Sequence, residues 1–251
     1  MQRLNLENPF SVIEKAEIYY KEITSSTMDD VRELIPQNPP SGTLVLASLQ
    51  TEGKGRLKGR KWVSAKGESL MFTILIKDND VSFALSLFPL FIGYCISELL
   101  KKEFGLENAI KWPNDVLING KKISGILCEN SHGYVLCGIG INCNQKNMKE
   151  ISEEKGISIY ELTEIKSNIN DILLKLLDFM KNNWNNQSWK DVVSGRLYNK
   201  GKKVVFYNPY FEKESPITGI IEGIGEEGEL IMTEEISGQT KKYYSGEISF
   251  S

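Results

Sequence analysis

Residues 109–143 read AIKWPNDVLINGKKISGILCENSHGYVLCGIGINC, and this stretch decides the fold. Asn119-Gly120 separates two apolar runs, which is the strongest short signal for a β-hairpin. His132-Gly133 marks a second turn before the last run. Pro113 cannot donate to a strand ladder, so it indicates an edge strand or a bulge. The stretch therefore predicts successive antiparallel strands at 109–119, 122–130 and 133–142.

The segments on either side add helices and further strands. Apolar and β-branched runs predict strands at 16–24, 43–49 and 69–77, and Asp29 and Asp30 behind Thr27 indicate a helix start. Longer apolar or amphipathic stretches predict helices at 81–104 and 167–190. This mixture predicts an α+β domain whose mixed or antiparallel sheet is flanked by helices.

One of these helices raises the question of a membrane. Residues 81–100 hold a single charge, Glu98, in 20 residues, a length that admits a membrane span. Pro89 and three serines weaken that alternative and favour a buried helix within a soluble domain. No apolar run marks a signal peptide in residues 1–15, so the sequence predicts a cytoplasmic protein without a membrane partner.

The composition changes near the end of the chain. From Gly201 onward, short β-branched runs alternate with glycine turns, which predicts a small β-barrel or sandwich. We therefore predict two domains, residues 1–197 and residues 198–251.

The composition also excludes several kinds of site. Among 251 residues there is one histidine, His132, so a zinc site built on two imidazoles within one chain is excluded. The four cysteines form no C-x-x-C pair and are interpreted as reduced core residues of a cytosolic protein. We expect no protein-bound metal. The net charge of -3 gives no sign of nucleic-acid binding.

A local cluster of positive charge departs from that average. Five of the eight residues 54–61 are cationic and none is acidic, with glycines between them. Backbone N–H groups and guanidinium forks suit phosphate and carboxylate, so the loop predicts anion binding. A solvated basic loop or a patch for a nucleic-acid backbone are the alternatives. The spacing of a Walker A loop is absent.

Two further short motifs contain residues that bear on function. Lys111-Trp112-Pro113-Asn114-Asp115 is a rare string, and a bulge at Pro113 could turn the Lys111 side chain into a cleft. The alternative is a turn with an incidental lysine. Gly138 and Gly140 lack the third glycine and the strand–helix context of a dinucleotide-binding loop, so we reject that interpretation.

Taken together and in order, these motifs resemble those of the biotin protein ligases. The matching strings are ST at 26–27, QTEGKGR at 50–56, GRKW at 59–62, KWPNDV at 111–116, SGILCE at 124–129, GIGIN at 138–142 and YSGEIS at 244–249. The resemblance implies a class II synthetase-like catalytic domain with a small C-terminal SH3-like β-barrel. It also implies a biotin–[acetyl-CoA-carboxylase] ligase, which forms biotinyl-5′-AMP from biotin and ATP. The biotin then passes to a lysine of a biotin carboxyl carrier domain.

The resemblance assigns roles to individual residues. It implies catalysis by Arg56 and Lys111, which would meet the biotin carboxylate and the α-phosphate. Mg2+ would travel with ATP. The implied biotin contacts are Ser26, Thr27, Met28, Gln50, Lys54, Gly55, Arg56, Lys111 and Gly125. The implied ATP or adenylate contacts are Arg56, Arg60, Trp62, Lys111, Asn114 and Asn142.

Some positions depart from the family's pattern, and some relatives suggest other activities. Lys54 replaces an arginine of the family's loop and loses the bidentate fork. Met28 stands where many relatives carry Asn. About fifteen residues precede the first core strand, so we expect the monofunctional type, without the DNA-binding domain of the repressor members. Lipoate ligases or octanoyl transferases are the other alternative. The protein could be a monomer or a homodimer.

Overall fold

The computed structural model describes residues 1–10, 15–57, 59–81, 83–151, 155–186, 188–207 and 215–249. Its strands are β1 (Gln2–Arg3), β2 (Ile18–Thr24), β3 (Leu44–Gln50), β4 (Ser69–Lys77), β5 (Ala109–Lys111), β6 (Asp115–Ile118), β7 (Lys121–Ser131), β8 (Tyr134–Asn142), β9 (Lys203–Tyr207), β10 (Ile217–Ile224), β11 (Leu230–Glu234), β12 (Thr240–Tyr243) and β13 (Glu247–Ser249). Its helices are α1 (Thr27–Arg32), α2 (Phe88–Phe104), α3 (Ile159–Thr163), α4 (Ile169–Asn183) and α5 (Trp189–Gly195). The α+β prediction is confirmed.

The larger sheet has the strand order β1-β2-β3-β4-β8-β7-β6-β5. Only β2 and β3 are parallel neighbours among these described strands, so the sheet is mixed. Both predicted hairpin turns are present, between β6 and β7 and between β7 and β8. The prediction of a single strand at 109–119 was wrong. It is two short antiparallel strands, because the chain reverses at Trp112-Pro113-Asn114, where proline offers no N–H to a ladder.

The helices cover both faces of this sheet. Helix α1 packs against β3, β4 and β8, whereas α2 packs with α4, α5 and β7 on the other face. The helix predicted at 81–104 begins only at Phe88, with Pro89 in its first turn, where its missing N–H costs nothing. The helix predicted at 167–190 is two helices, since α4 ends at Asn183 and α5 starts at Trp189.

Helix α2 is a core helix, as the sequence predicted. Eleven of its residues are buried, and no helix in the described ranges is long and apolar enough to cross a membrane. The helix ends at Gly105, which takes the left-handed conformation that is common after a helix and that glycine adopts at low cost.

The smaller sheet lies at the C-terminal end of the chain. Its strand order is β12-β11-β10-β9-β13, with antiparallel neighbours throughout. Its buried residues Phe206, Leu230 and Ile248 belong to the same apolar cluster as the residues of α2. The predicted small β unit is therefore present and its core is continuous with that of the larger sheet. The division at 197/198 stays a prediction.

The four cysteines are free thiols, three of them buried and Cys128 half-buried, and this burial leads to a testable expectation. Burial raises the pKa of Cys95 well above its ordinary value and raises the pKa of Cys143 to about 12. Because the thiolate is the reactive form, we expect an aromatic disulfide reagent at pH 8 to modify the native protein slowly and all four thiols quickly in denaturant. Rapid, complete modification of the native protein would contradict this.

Candidate active site

The candidate site is a cleft on the face of the larger sheet that carries α1. Beneath α1 the sheet presents the buried side chains of Val45, Leu75 and Leu136. Further along β8 the same face presents Gly138 and Gly140, because alternate residues of a strand share a face. The change from leucine to glycine opens a cleft beyond the N-terminal end of α1.

Glycine also forms the floor of the cleft on the next strand. Gly125 of β7 lies directly opposite Gly140 of β8. The Trp62 indole lies on this floor, so closely that a Cβ at Gly140 would sit 2.6 Å from its ring. The Trp62 Nε1 group is buried and has no hydrogen-bond partner among the described residues. The floor therefore admits a flat ring, and Trp62 offers an unused donor beside it.

Polar side chains gather at the α1 end of the cleft. Ser26 caps α1, and its Oγ accepts a hydrogen bond from the Met28 N–H at 3.3 Å. The Thr27 N–H and hydroxyl both donate to Gln50 Oε1, at 2.8 and 3.1 Å, which ties the end of β3 to the helix. Thr27 Oγ1 also lies 2.8 Å from Thr73 Oγ1 on β4. This network fixes several hydroxyl and amide groups in one corner.

The cationic segment lies along the cleft as a short hairpin. The Trp62 N–H donates to the Gly53 carbonyl at 3.0 Å, and the Gly55 N–H donates to the Arg60 carbonyl at 2.9 Å. Lys54 forms an ion pair of 2.6 Å with Asp29 on α1. Lys58, which belongs to the predicted cationic cluster, lies outside the described residues. The hairpin places the guanidinium groups of Arg56 and Arg60 at the cleft.

Both arginines reach the C-terminal sheet. Arg56 Nη2 donates to the Gly246 carbonyl at 2.7 Å and lies 4.0 Å from the Glu247 carboxylate. Arg60 binds the same carboxylate with its two terminal nitrogens, Nη1 at 2.9 Å and Nη2 at 3.0 Å. Glu247 lines the cleft with them. The C-terminal sheet thus contributes a carboxylate to a cleft that is otherwise rich in positive charge.

A further cation, Lys122, enters the cleft from β7. Its Nζ lies 2.9 Å from Asp115 Oδ1 and 6.0 Å from the centre of the Trp62 ring. The pairing of β6 with β7 shifts by one residue here, which leaves Ile123 as an extra residue on β7. A bulge of this kind reverses the alternation of side chains. Lys122 therefore joins Gly125 on the cleft face.

Lys111 lies at the outer edge of the same face. It is directly opposite Asp115, which is directly opposite Gly125, so the three residues form a row across β5, β6 and β7. Lys111 does not itself line the cleft, and Asp115 lies between it and Gly125 in this row. Burial lowers the pKa of Lys111, and the charges of Asp115 and Glu247 oppose that shift.

A sequence model of the biotin/lipoate A/B protein ligase family matches residues 20–146, slightly more than half of the chain. This chain belongs to that family. The matched segment runs from β2 to just beyond β8, and so contains the glycine floor, the cationic hairpin and Lys122.

Individual members of the biotin/lipoate A/B protein ligase family resemble the chain over different lengths. It is 35% identical over 146 residues to the bifunctional ligase/repressor BirA of Bacillus spizizenii, and the match spans 45% of that protein. It is 26% identical to the biotin–[acetyl-CoA-carboxylase] ligase of Mycobacterium tuberculosis, over 82% of this chain and 78% of the relative. The biotin protein ligase of Aquifex aeolicus in complex with biotin and ATP is 31% identical, with a TM-score of 0.78 over 92% of this chain and 97% of that one.

The structure gathers nearly all of the site residues that the family resemblance implied. Every one of them except Lys111 lines the cleft: Ser26, Thr27, Met28, Gln50, Lys54, Gly55, Arg56, Arg60, Trp62, Asn114, Gly125 and Asn142. Asn114 donates to the Ile126 carbonyl at 2.7 Å, so its amide joins β6 to β7. Asn142 Nδ2 donates to the Ile157 carbonyl at 3.1 Å, while its buried Oδ1 has no partner among the described residues.

Three charged residues of the cleft were not predicted from the sequence: Asp115, Lys122 and Glu247. Asp115 was quoted within its motif but given no role. Lys122 follows Lys121 at a polar turn, and only the bulge places it on the cleft face. Glu247 lies far away along the chain, within the YSGEIS string, to which the family resemblance assigned no site residue.

Proposed function

We propose that this chain is an ATP-dependent biotin–[acetyl-CoA-carboxylase] ligase. It would activate biotin as biotinyl-5′-AMP and transfer the biotin to a lysine of a biotin carboxyl carrier domain. The observation that carries the proposal is the arrangement across the sheet, with an amide at β3, a hydroxyl at β4, glycine at β8 and β7, and the cation Lys122 at β7. Three strand spacings, roughly 14 Å, separate β3 from β7.

This arrangement suits an elongated acid with a polar head. The Ser26, Thr27 and Gln50 corner offers hydrogen bonds to a ureido head group. The glycine floor would accept the ring system of biotin in place of the Trp62 indole, which lies there in this structure. The carboxylate end would then reach Arg56 and Lys122. Positive charge is needed there, because a carboxylate must approach a triphosphate. Lys111, at the edge of the same row, adds to that field.

The first step joins the two substrates at phosphorus. A biotin carboxylate oxygen attacks the α-phosphorus of ATP, the bond from that phosphorus to the bridging oxygen breaks, and pyrophosphate leaves. Arg56 and Lys122 would hold both anions and stabilise the charge that develops on the α-phosphate. The carboxylate is already ionised at pH 7, so the step needs no general base. Mg2+ would enter as part of the MgATP substrate.

The second step transfers the acyl group. The neutral amine of an acceptor lysine attacks the acyl carbon, the bond to the phosphate oxygen breaks, and AMP leaves as the amine loses a proton. Trp62 and the buried Asn142 Oδ1 offer a stacking surface and an acceptor to the adenosine half of the intermediate. Because ATP is the substrate, we propose that the reaction takes place in the cytoplasm.

Incubation with MgATP and a biotin carrier domain tests the proposal. We expect biotin to give AMP, pyrophosphate and a carrier heavier by one biotinyl group, measured by mass spectrometry. Lipoate in place of biotin should leave a lipoyl acceptor domain unmodified. Lipoylation without biotinylation would replace the proposal by the lipoate alternative, and modification of neither acceptor would reject both.

Lys111→Ala is expected to lower the rate of adenylate formation by about tenfold. The substitution removes a cation that acts over some distance, where an interaction in the protein is worth about 1.4 kcal/mol, a factor of ten in rate. Pyrophosphate release measures the effect, with Lys102→Ala at the exposed end of α2 as the control. A rate equal to that of the unchanged protein would remove Lys111 from the proposed site.

A further inference from the structure

The contact between the cationic hairpin and β13 is unusual for a site that is proposed to bind a polyphosphate. Arg56 donates to the Gly246 carbonyl and Arg60 forms a two-nitrogen ion pair with Glu247. Only 27% of the Glu247 side chain is exposed. A carboxylate therefore stands where the phosphates of ATP would seek the same guanidinium groups.

The C-terminal sheet is well placed to hold that carboxylate still. The buried Trp112 donates its Nε1 hydrogen bond to the Gly228 carbonyl at 2.9 Å. Its ring also lies 6.4 Å from that of Phe206, centre to centre. These contacts fix the sheet against the KWPND turn, beside Lys111. The sheet thus touches the cleft on two sides, at a fixed turn and at the cationic hairpin.

We propose that Gly246 and Glu247 form a latch that holds the cationic hairpin in the nucleotide-free protein and that the phosphates of ATP displace. The latch in the free protein stands on the contacts above, whereas its displacement by ATP rests on the proposed function. In this role Glu247 is a positioning residue. It occupies Arg60, and with Gly246 it restrains Arg56, until a stronger anion arrives.

The charges make the expected effect of removing Glu247 on ATP binding opposite in sign to that of removing a residue that merely supports the site. Arg60 cannot direct both nitrogens at Glu247 and at a phosphate, so the two anions compete for it. The Glu247 carboxylate also repels a phosphate bound nearby. Removing its charge should therefore loosen the hairpin and strengthen ATP binding. A residue that merely supported the site would weaken ATP binding when replaced.

The first experiment measures the hairpin without any ligand. Glu247→Gln, which keeps the size of the side chain, should increase the rate at which a protease of broad specificity cuts between residues 54 and 61 by about three- to fivefold, as expected for loss of a partly exposed ion pair. Glu235→Gln is the matched control, since Glu235 pairs with the exposed Lys203 on the same sheet. An unchanged cleavage rate for Glu247→Gln would overturn the latch.

The second experiment measures ATP binding by calorimetry. Glu247→Gln should lower the Kd for ATP by about three- to fivefold at low salt, and less at high salt. In the protease experiment, an Arg60→Gln background should make the effect of the Glu247 substitution on the cleavage rate much smaller. An unchanged or higher Kd would overturn displacement by ATP. If the unchanged protein binds no ATP, the proposed function fails, and the ligand-free cleavage still decides whether the hairpin is held by Glu247.

Discussion

Replacing Lys122 by alanine is expected to lower the rate of biotin-dependent pyrophosphate exchange by roughly 10²–10³-fold, the usual cost of removing one group that stabilises developing charge. Lys122 Nζ reaches the cleft beside Trp62 and is held by Asp115 at 2.9 Å. The attack of a carboxylate on the α-phosphate brings two anions together, and Lys122 is the cation nearest the glycine floor on β7. Its loss removes one of the cations that compensate that repulsion.

The matched control for this prediction is Lys121→Ala. Lys121 precedes Lys122 at the start of β7, but its side chain is exposed and it does not line the cleft. It should exchange pyrophosphate at the rate of the unchanged protein. Thermal unfolding of both variants checks that Asp115, left without its partner in Lys122→Ala, does not unfold the protein. A Lys122→Ala protein that is folded and exchanges normally would remove Lys122 from the mechanism.

Local signals predicted much of the fold. The Asn119-Gly120 and His132-Gly133 turns were recognised because a two-residue hairpin needs residues that accept positive φ, and these four residues have it. The strand at 69–77 was predicted with its observed bounds, since its apolar run is continuous. The ends of helices were predicted less well. The gap between α4 and α5 depends on tertiary packing of Trp184 and Trp189 around Phe83 and Phe91.

The site was predicted where sequence motifs carry it and missed where geometry carries it. Side-chain alternation along β7 would place Lys122 on the face of the buried Ile126, away from Gly125. The bulge at Ile123 reverses that alternation, and such a shift has no marker in this sequence. Arg60 and Glu247 are separated by 187 residues, so no local pattern could have paired them. Long-range contacts of this kind follow only from the packed structure.

Gly140→Val is expected to weaken biotin binding by about 2 kcal/mol, roughly 30-fold, which is typical of overfilling a packed site. A Cβ at Gly140 would lie 2.6 Å from the Trp62 ring, closer than non-bonded atoms approach. The indole must therefore leave the floor, and the valine methyl groups would raise the surface on which a ligand ring lies. Valine is well tolerated in a strand, so the loss should appear in binding more than in folding.

Gly223→Val is the control for this substitution, because Gly223 also lies in a strand but a Cβ there meets nothing within 4 Å. Calorimetry with biotin and with ATP gives the two affinities, and tryptophan fluorescence reports whether the indole has moved. Displacement of Trp62 with unchanged biotin affinity would mean that the ligand does not use the glycine floor. Weakened biotin binding together with normal affinity in Gly223→Val would instead locate the ring system of biotin on Gly125 and Gly140, between the Gln50 corner and Lys122.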